Sequence, residues 1–122
     1  MDIEEIYTEE ILARYRTPKN KGKLENFDFH LKENNPLCGD FIEVFIKVKN
    51  GKVEDAKFIG EGCVISQVST DLLLDFIKNK SLEEIKKIND DFLIKNIVKI
   101  PISYRRILCA TLPLKALKKI FI

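Results

Sequence analysis

Between Phe41 and Ile59 the chain reads as a β-hairpin, and that feature limits the fold more than any other. Ile42, Val44, Ile46 and Val48 recur at every second position, which is the period of a strand with one buried face. Asn50-Gly51 follows, the dipeptide best suited to a two-residue type I′ turn, where both positions need positive φ. Val53 to Ile59 is then the returning strand. Phe27 to Lys32 alternates more weakly and supplies a third. A three-stranded antiparallel sheet is expected, and its apolar face needs helices to cover it.

The rest of the chain supplies them. Asp2 to Arg16 carries Ile3, Tyr7, Ile11 and Tyr15 on one stripe, with acids in its first turns and Arg14 and Arg16 at its end. Thr17-Pro18 to Gly22 breaks it. After Gly60-Glu61-Gly62 the period becomes helical, with Ile65, Val68, Leu72 and Phe76 in line beside Leu73 and Ile77. Ser81 and Glu84 form a capping box, and Asp90 is expected to cap a further helix. Pro101 interrupts. Ser103 is expected to open the last helix, with Tyr104, Ile107, Leu108 and Thr111 toward the core. Pro113 should kink or split it, because proline has no N–H for the carbonyl of Cys109. No repeat and no linker appears, so residues 1–122 are read as one α+β domain.

Composition narrows the function. No apolar run approaches a membrane span, and the acidic start Met1-Asp2-Ile3-Glu4-Glu5 is unlike a signal peptide, so a cytoplasmic protein without membrane contact is expected. From Lys99 onward the chain has six basic residues and no acidic one; the preceding residues carry 15 basic and 19 acidic. That basic end suits an acidic protein surface as well as an ordinary solvated helix face. No aromatic platform or known module points to nucleic acid.

Three cysteines remain, an odd number in a reducing compartment, which speaks against a disulfide framework. Metal binding, a reactive thiol and plain packing are the open readings. Each cysteine sits at an element boundary and none in the middle of an apolar stripe, which favours chemistry. Cys38 and Asp40 are two apart in extended chain and can point to one side, with Gly39 allowing the backbone to bend; the plain alternative is that Asp40 ends a turn. Cys63 follows Gly60-x-Gly62 at a helix start, where unpaired N–H groups stabilise a thiolate. The two glycines could also cradle an anion, though GxG alone is weak evidence. Cys109 lies one turn after Arg105 and Arg106, so a guanidinium can support its thiolate unless both point to solvent. Three thiolates and a carboxylate suit zinc or an iron–sulfur cluster, with Asp40 the hard ligand most easily exchanged. His30 is read as a surface or edge histidine, not a ligand.

Asn35-Pro36-Leu37-Cys38-Gly39-Asp40, Val53 to Ser66 around Gly60-Glu61-Gly62-Cys63, and Arg106-Ile107-Leu108-Cys109-Ala110-Thr111-Leu112 together resemble the U-type iron–sulfur scaffold proteins (IscU, the N-terminal part of NifU, and SufU). Tyr15-x-x-Pro18-Lys19-Asn20-x-Gly22 is similar to that family's N-terminal segment. The resemblance implies the same α+β fold and a transient [2Fe–2S] cluster on Cys38, Cys63 and Cys109, with Asp40 tuning its lability. It implies Zn2+ on these residues in the isolated protein. It also implies a cysteine desulfurase as sulfur donor, and downstream carriers or apo-proteins as acceptors. Two departures stand out. Leu108 occupies the position of the IscU histidine, and Ile100-Pro101-Ile102-Ser103-Tyr104 replaces the segment that Hsp70-type chaperones recognise. Arg106 and Cys109-Ala110-Thr111-Leu112 look more like SufU, in which Cys109 or Cys63 would accept persulfide with Arg106 supporting the thiolate. SufU, however, has an insertion before the third cysteine that this chain lacks.

Overall fold

The computed structural model describes residues 9–36, 39–99 and 102–121. The hairpin forms as the alternation requires. Strands β1 (Phe29–Asn35), β2 (Asp40–Lys49) and β3 (Lys52–Glu61) make one antiparallel sheet in that order. In register, Leu31 faces Val44 and Ile46 faces Ala56. Asn50 and Gly51 both take positive φ, 55° and 77°, and close the turn. Ile42, Val44 and Ile46 are buried on the core face. Val48 is half-buried, because the register shifts between Lys47 and Val48 and the strand leaves the core there.

Helix α1 (Glu9–Arg16) is followed after the sheet by α2 (Val64–Ile77), α3 (Leu82–Lys86), the short turn α4 (Asp90–Phe92) and α5 (Ile107–Lys118). The first half of the helix expected over Asp2 to Arg16 lies outside the described residues, as does Pro101. α2 packs on β3, α5 on β1 and β2, and the two helices on each other. Phe58, Ile42, Ile46, Leu73, Leu74, Ile77, Leu112 and Leu117 fill the space between them. α2 departs from the expected stripe. It is buried on nearly every side from Ile65 to Asp71, while Leu72 and Phe76 are only half-buried. α1 covers the side that the sheet does not, so one apolar stripe underestimates its burial.

The capping box is present in full, with Glu84 N–H donating to Ser81 Oγ at 3.1 Å and Ser81 N–H to Glu84 Oε1 at 3.0 Å. Three local expectations need correction. Asn89, not Asp90, caps α4, accepting from Phe92 N–H at 2.8 Å, and the segment continues as a π-helix over Leu93–Val98. Tyr104 is 94% exposed and Leu108 40% exposed, because a 3-10 turn over Tyr104–Arg106 swings them off the core. Pro113 does not split α5, which runs through it, with Ser69 Oγ of α2 donating to the Ala110 carbonyl at 2.5 Å nearby. Tertiary packing outweighs the local cost of the proline.

Candidate metal centre

Asp40, Cys63 and Cys109 come from three different elements and meet at one end of the molecule. Asp40 is the first residue of β2, Cys63 the N-cap of α2, and Cys109 lies in the first turn of α5. Their ligand atoms lie within 4.8 Å of one another. Atoms about 2.0–2.3 Å from a shared ion in tetrahedral array stand somewhat closer than that, so a small closure suffices. Cys38, the fourth expected member, lies outside the described residues.

Asp40 is the most informative of the three. It is 3% exposed. Its Oδ1 accepts from the Cys63 backbone N–H at 3.2 Å, while its Oδ2 is buried with no hydrogen-bond partner among the described residues. A buried carboxylate oxygen left in that state is costly unless a cation or donor completes it. The position exists because residue 62 is glycine. A Cβ there would stand 2.5 Å from Asp40 Oδ1 and 2.8 Å from Ser66 Oγ, and Gly62 holds φ at +154°. The Gly60-x-Gly62 segment therefore makes room for the chain's own carboxylate, which takes the anion position at the helix start.

Cys63 is half-buried and Cys109 is buried, and neither is in a disulfide. Burial, then the neighbouring Cys63 and Asp40 side chains, push the Cys109 thiol well above the usual thiol range. One turn earlier, Arg106 is half-buried and Arg105 exposed. A cation bound at such a thiol would displace its proton to solvent, which water alone does not do at neutral pH. The residues present thus fit a cation: two sulfurs, one carboxylate oxygen without a partner, and a cradle that a side chain at 62 would fill.

His30 is not part of the cluster. It stacks on Phe45 with ring centroids 4.5 Å apart and lies 3.1 Å from Glu43 Oε1, on the far face of the sheet, as an edge histidine should. The basic C-terminal end is partly spent internally. Lys119 Nζ donates to the Lys32 carbonyl and pairs with Glu33, and Lys118 Nζ donates to the Lys86 carbonyl.

Sequence reasoning missed a second polar cluster. Asp71 of α2 is fully buried and pairs with Arg14 Nε of α1. It also accepts from Asn20 N–H at 2.8 Å and Lys19 N–H at 3.1 Å, while Asn20 Nδ2 donates to the Asp71 carbonyl at 3.0 Å. Arg14 and Asn20 also bind Asp75, one turn on. Burial alone would raise Asp75, but the hydrogen bonds from Asn20 and Arg14 outweigh it and hold its carboxyl below the ordinary value. This explains Pro18-Lys19-Asn20: the segment docks α1 against the helix whose start carries Cys63. The available signal was a charged residue, Asp71, directly beside the Val68–Leu72 stripe.

The model of the NifU-like N terminal domain matches residues 6–120. The chain belongs to this family. Among relatives of this NifU-like domain, the zinc-dependent sulfurtransferase SufU of Bacillus subtilis is 36% identical, over 97% of this chain and 90% of that protein. The iron–sulfur cluster assembly scaffold protein IscU 1 of Archaeoglobus fulgidus is 30% identical, over 93% and 73%. Among solved structures, a SUF-system scaffold protein described as putative, from Fervidobacterium islandicum, superposes with a TM-score of 0.79 at 29% identity, covering 97% of this chain and 98% of that one. The three-stranded antiparallel sheet with packed helices is the fold of this NifU-like family, as the sequence implied.

Proposed function

We propose that this chain is a U-type scaffold that builds a [2Fe–2S] cluster on Cys38, Cys63 and Cys109 with Asp40, and passes it to acceptor proteins. The observation that supports this most is the meeting of Asp40, Cys63 and Cys109 within 4.8 Å, with one Asp40 oxygen buried and unpartnered among the described residues. Cys38 enters on its place in the sequence, two residues before Asp40. Three sulfurs make a soft site and Asp40 is its one hard ligand. Because Asp40 Oδ1 is already held by the Cys63 N–H, the carboxylate can let go of cargo without leaving its place. The partners are a cysteine desulfurase as sulfur donor and downstream carriers or apo-proteins, in the cytoplasm. The isolated protein is expected to carry Zn2+ on the same residues. Ile100 to Tyr104 gives an Hsp70-type chaperone no familiar segment to grip.

Anaerobic reconstitution with iron and sulfide should give a coloured species that survives desalting and moves to an apo-ferredoxin. Colourless protein that keeps its zinc would sink this reading. Asp40→Ala should slow release of cluster or metal while leaving binding intact; faster loss would count against the exchangeable-ligand role.

A second reading is favoured by the 36% identity to a protein named as a zinc-dependent sulfurtransferase, and by Leu108 where IscU proteins have histidine. In it, the Cys109 or Cys63 thiolate, supported by Arg106, attacks the outer sulfur of a persulfide on the desulfurase. The new S–S bond forms as the donor's S–S bond breaks, and the donor cysteine leaves as thiolate. Strong stimulation of a desulfurase, abolished by Cys109→Ala or Cys63→Ala, would select this reading.

A further inference from the structure

Beside the cysteine cluster lies a recess of about 610 Å³ that the proposed function does not use, lined by Tyr15, Arg16, Lys21, Glu61, Gly62 and Gln67. That volume is in the range of small-molecule sites. Its wall holds a built donor. Gln67 is 6% exposed. Its Oε1 accepts from Lys21 Nζ at 2.7 Å, which fixes which way the amide points. Its Nε2 is then left buried with no acceptor among the described residues. Lys21 is itself exposed and steadied by the Phe58 ring, 5.2 Å from its Nζ, so it can follow a ligand without leaving the wall.

We infer that this recess binds a small carboxylate, with Gln67 Nε2 and Lys21 Nζ donating to its two oxygens and Arg16 supplying the second positive charge. A carboxylate fits better than phosphate. Of the backbone donors at the start of α2, the Cys63 N–H is taken by Asp40, and Glu61 on the rim opposes a dianion. Two cations and one amide match a single negative charge in one plane. The recess touches Gly62, so the ligand would sit one residue from Cys63 without being a metal ligand.

Acetate is the probe of choice, since it chelates metals weakly. In a 1H–15N titration of the metal-loaded chain, the Gln67 side-chain NH2 pair, assigned by its loss in Gln67→Leu, should shift saturably with acetate at constant ionic strength. Arg16→Gln, an exposed change that leaves the fold alone, and Lys21→Met should each weaken binding about tenfold, the worth of one charged hydrogen bond. Metal content should stay unchanged in both, which separates this inference from the metal reading. A shift that is linear, or equal with chloride, overturns it. So does tighter binding of inorganic phosphate than of acetate.

Discussion

Two buried aspartates, one within α2 and one beside its start, are treated in opposite ways. Asp71 is fully enclosed, with both carboxylate oxygens and its carbonyl bound by Arg14, Lys19 and Asn20. Asp40 is almost as buried, yet only one oxygen is held and the other is left without a hydrogen-bond partner among the described residues. The first is a fastener: its charge is neutralised and its geometry closed. The second is open: one oxygen lacks a bond from any described residue, and that is where the proposed function seats its cargo. Burial by itself does not distinguish structure from function; the count of satisfied oxygens does.

The contrast can be broken most sharply at Asp71. Asp71→Ala leaves Arg14 Nε and two backbone donors without their acceptor, and should cost about 3–5 kcal/mol in denaturant unfolding of the metal-free protein. A cost below about 1 kcal/mol would mean the fastener is not one. Gly62→Ala comes next, at about 1–3 kcal/mol, from the backbone conformation and the clash with Asp40. That cost should shrink in an Asp40→Ala background, because the struck carboxylate is gone. Smaller again is an acid effect from the fastener side. Asp75 lies below its ordinary 3.8 when folded, so the unfolded chain takes up the proton first. Its contribution is present above about pH 4 and is lost as pH falls through and below 3.8; Asp75→Asn should flatten that limb of a stability-against-pH curve. The smallest effect is expected at Asp40 itself. Asp40→Asn should change the stability of metal-free protein by less than about 1 kcal/mol, since the Cys63 N–H keeps an oxygen acceptor. Zinc should still bind, and its release to a chromophoric chelator should slow far more than stability changes.

Much of this was legible in the sequence, for physical reasons. The hairpin follows from a two-residue period and a turn dipeptide with a steric requirement, and the Ser81–Glu84 cap from a purely local pairing. Asp40, Cys63 and Cys109 could be brought together on paper because each lies at an element end. What the sequence hid depends on distant packing. Burial and two side chains far away in sequence, Cys63 and Asp40, push the Cys109 thiol up, and no spacing along the chain reveals that. A helical period carried through Tyr104 points it to the core, and the 3-10 turn there breaks that period. The Asp71 cluster joins residues more than fifty positions apart, and no local pattern announces such a pairing.

The hairpin also has a metrological consequence. Asp40 opens β2 and Gly62-Cys63 directly follows β3, so the two strands act as the arms of a caliper whose pivot is Asn50-Gly51. Counted from that pivot, each arm is about 30 Å of extended chain, and slipping one arm by a single residue would carry Cys63 about 3.3 Å past Asp40. Metal uptake is therefore a gauge of strand alignment: a chain that collapsed with the wrong pairing could retain its helices and still fail to close its jaws on an ion.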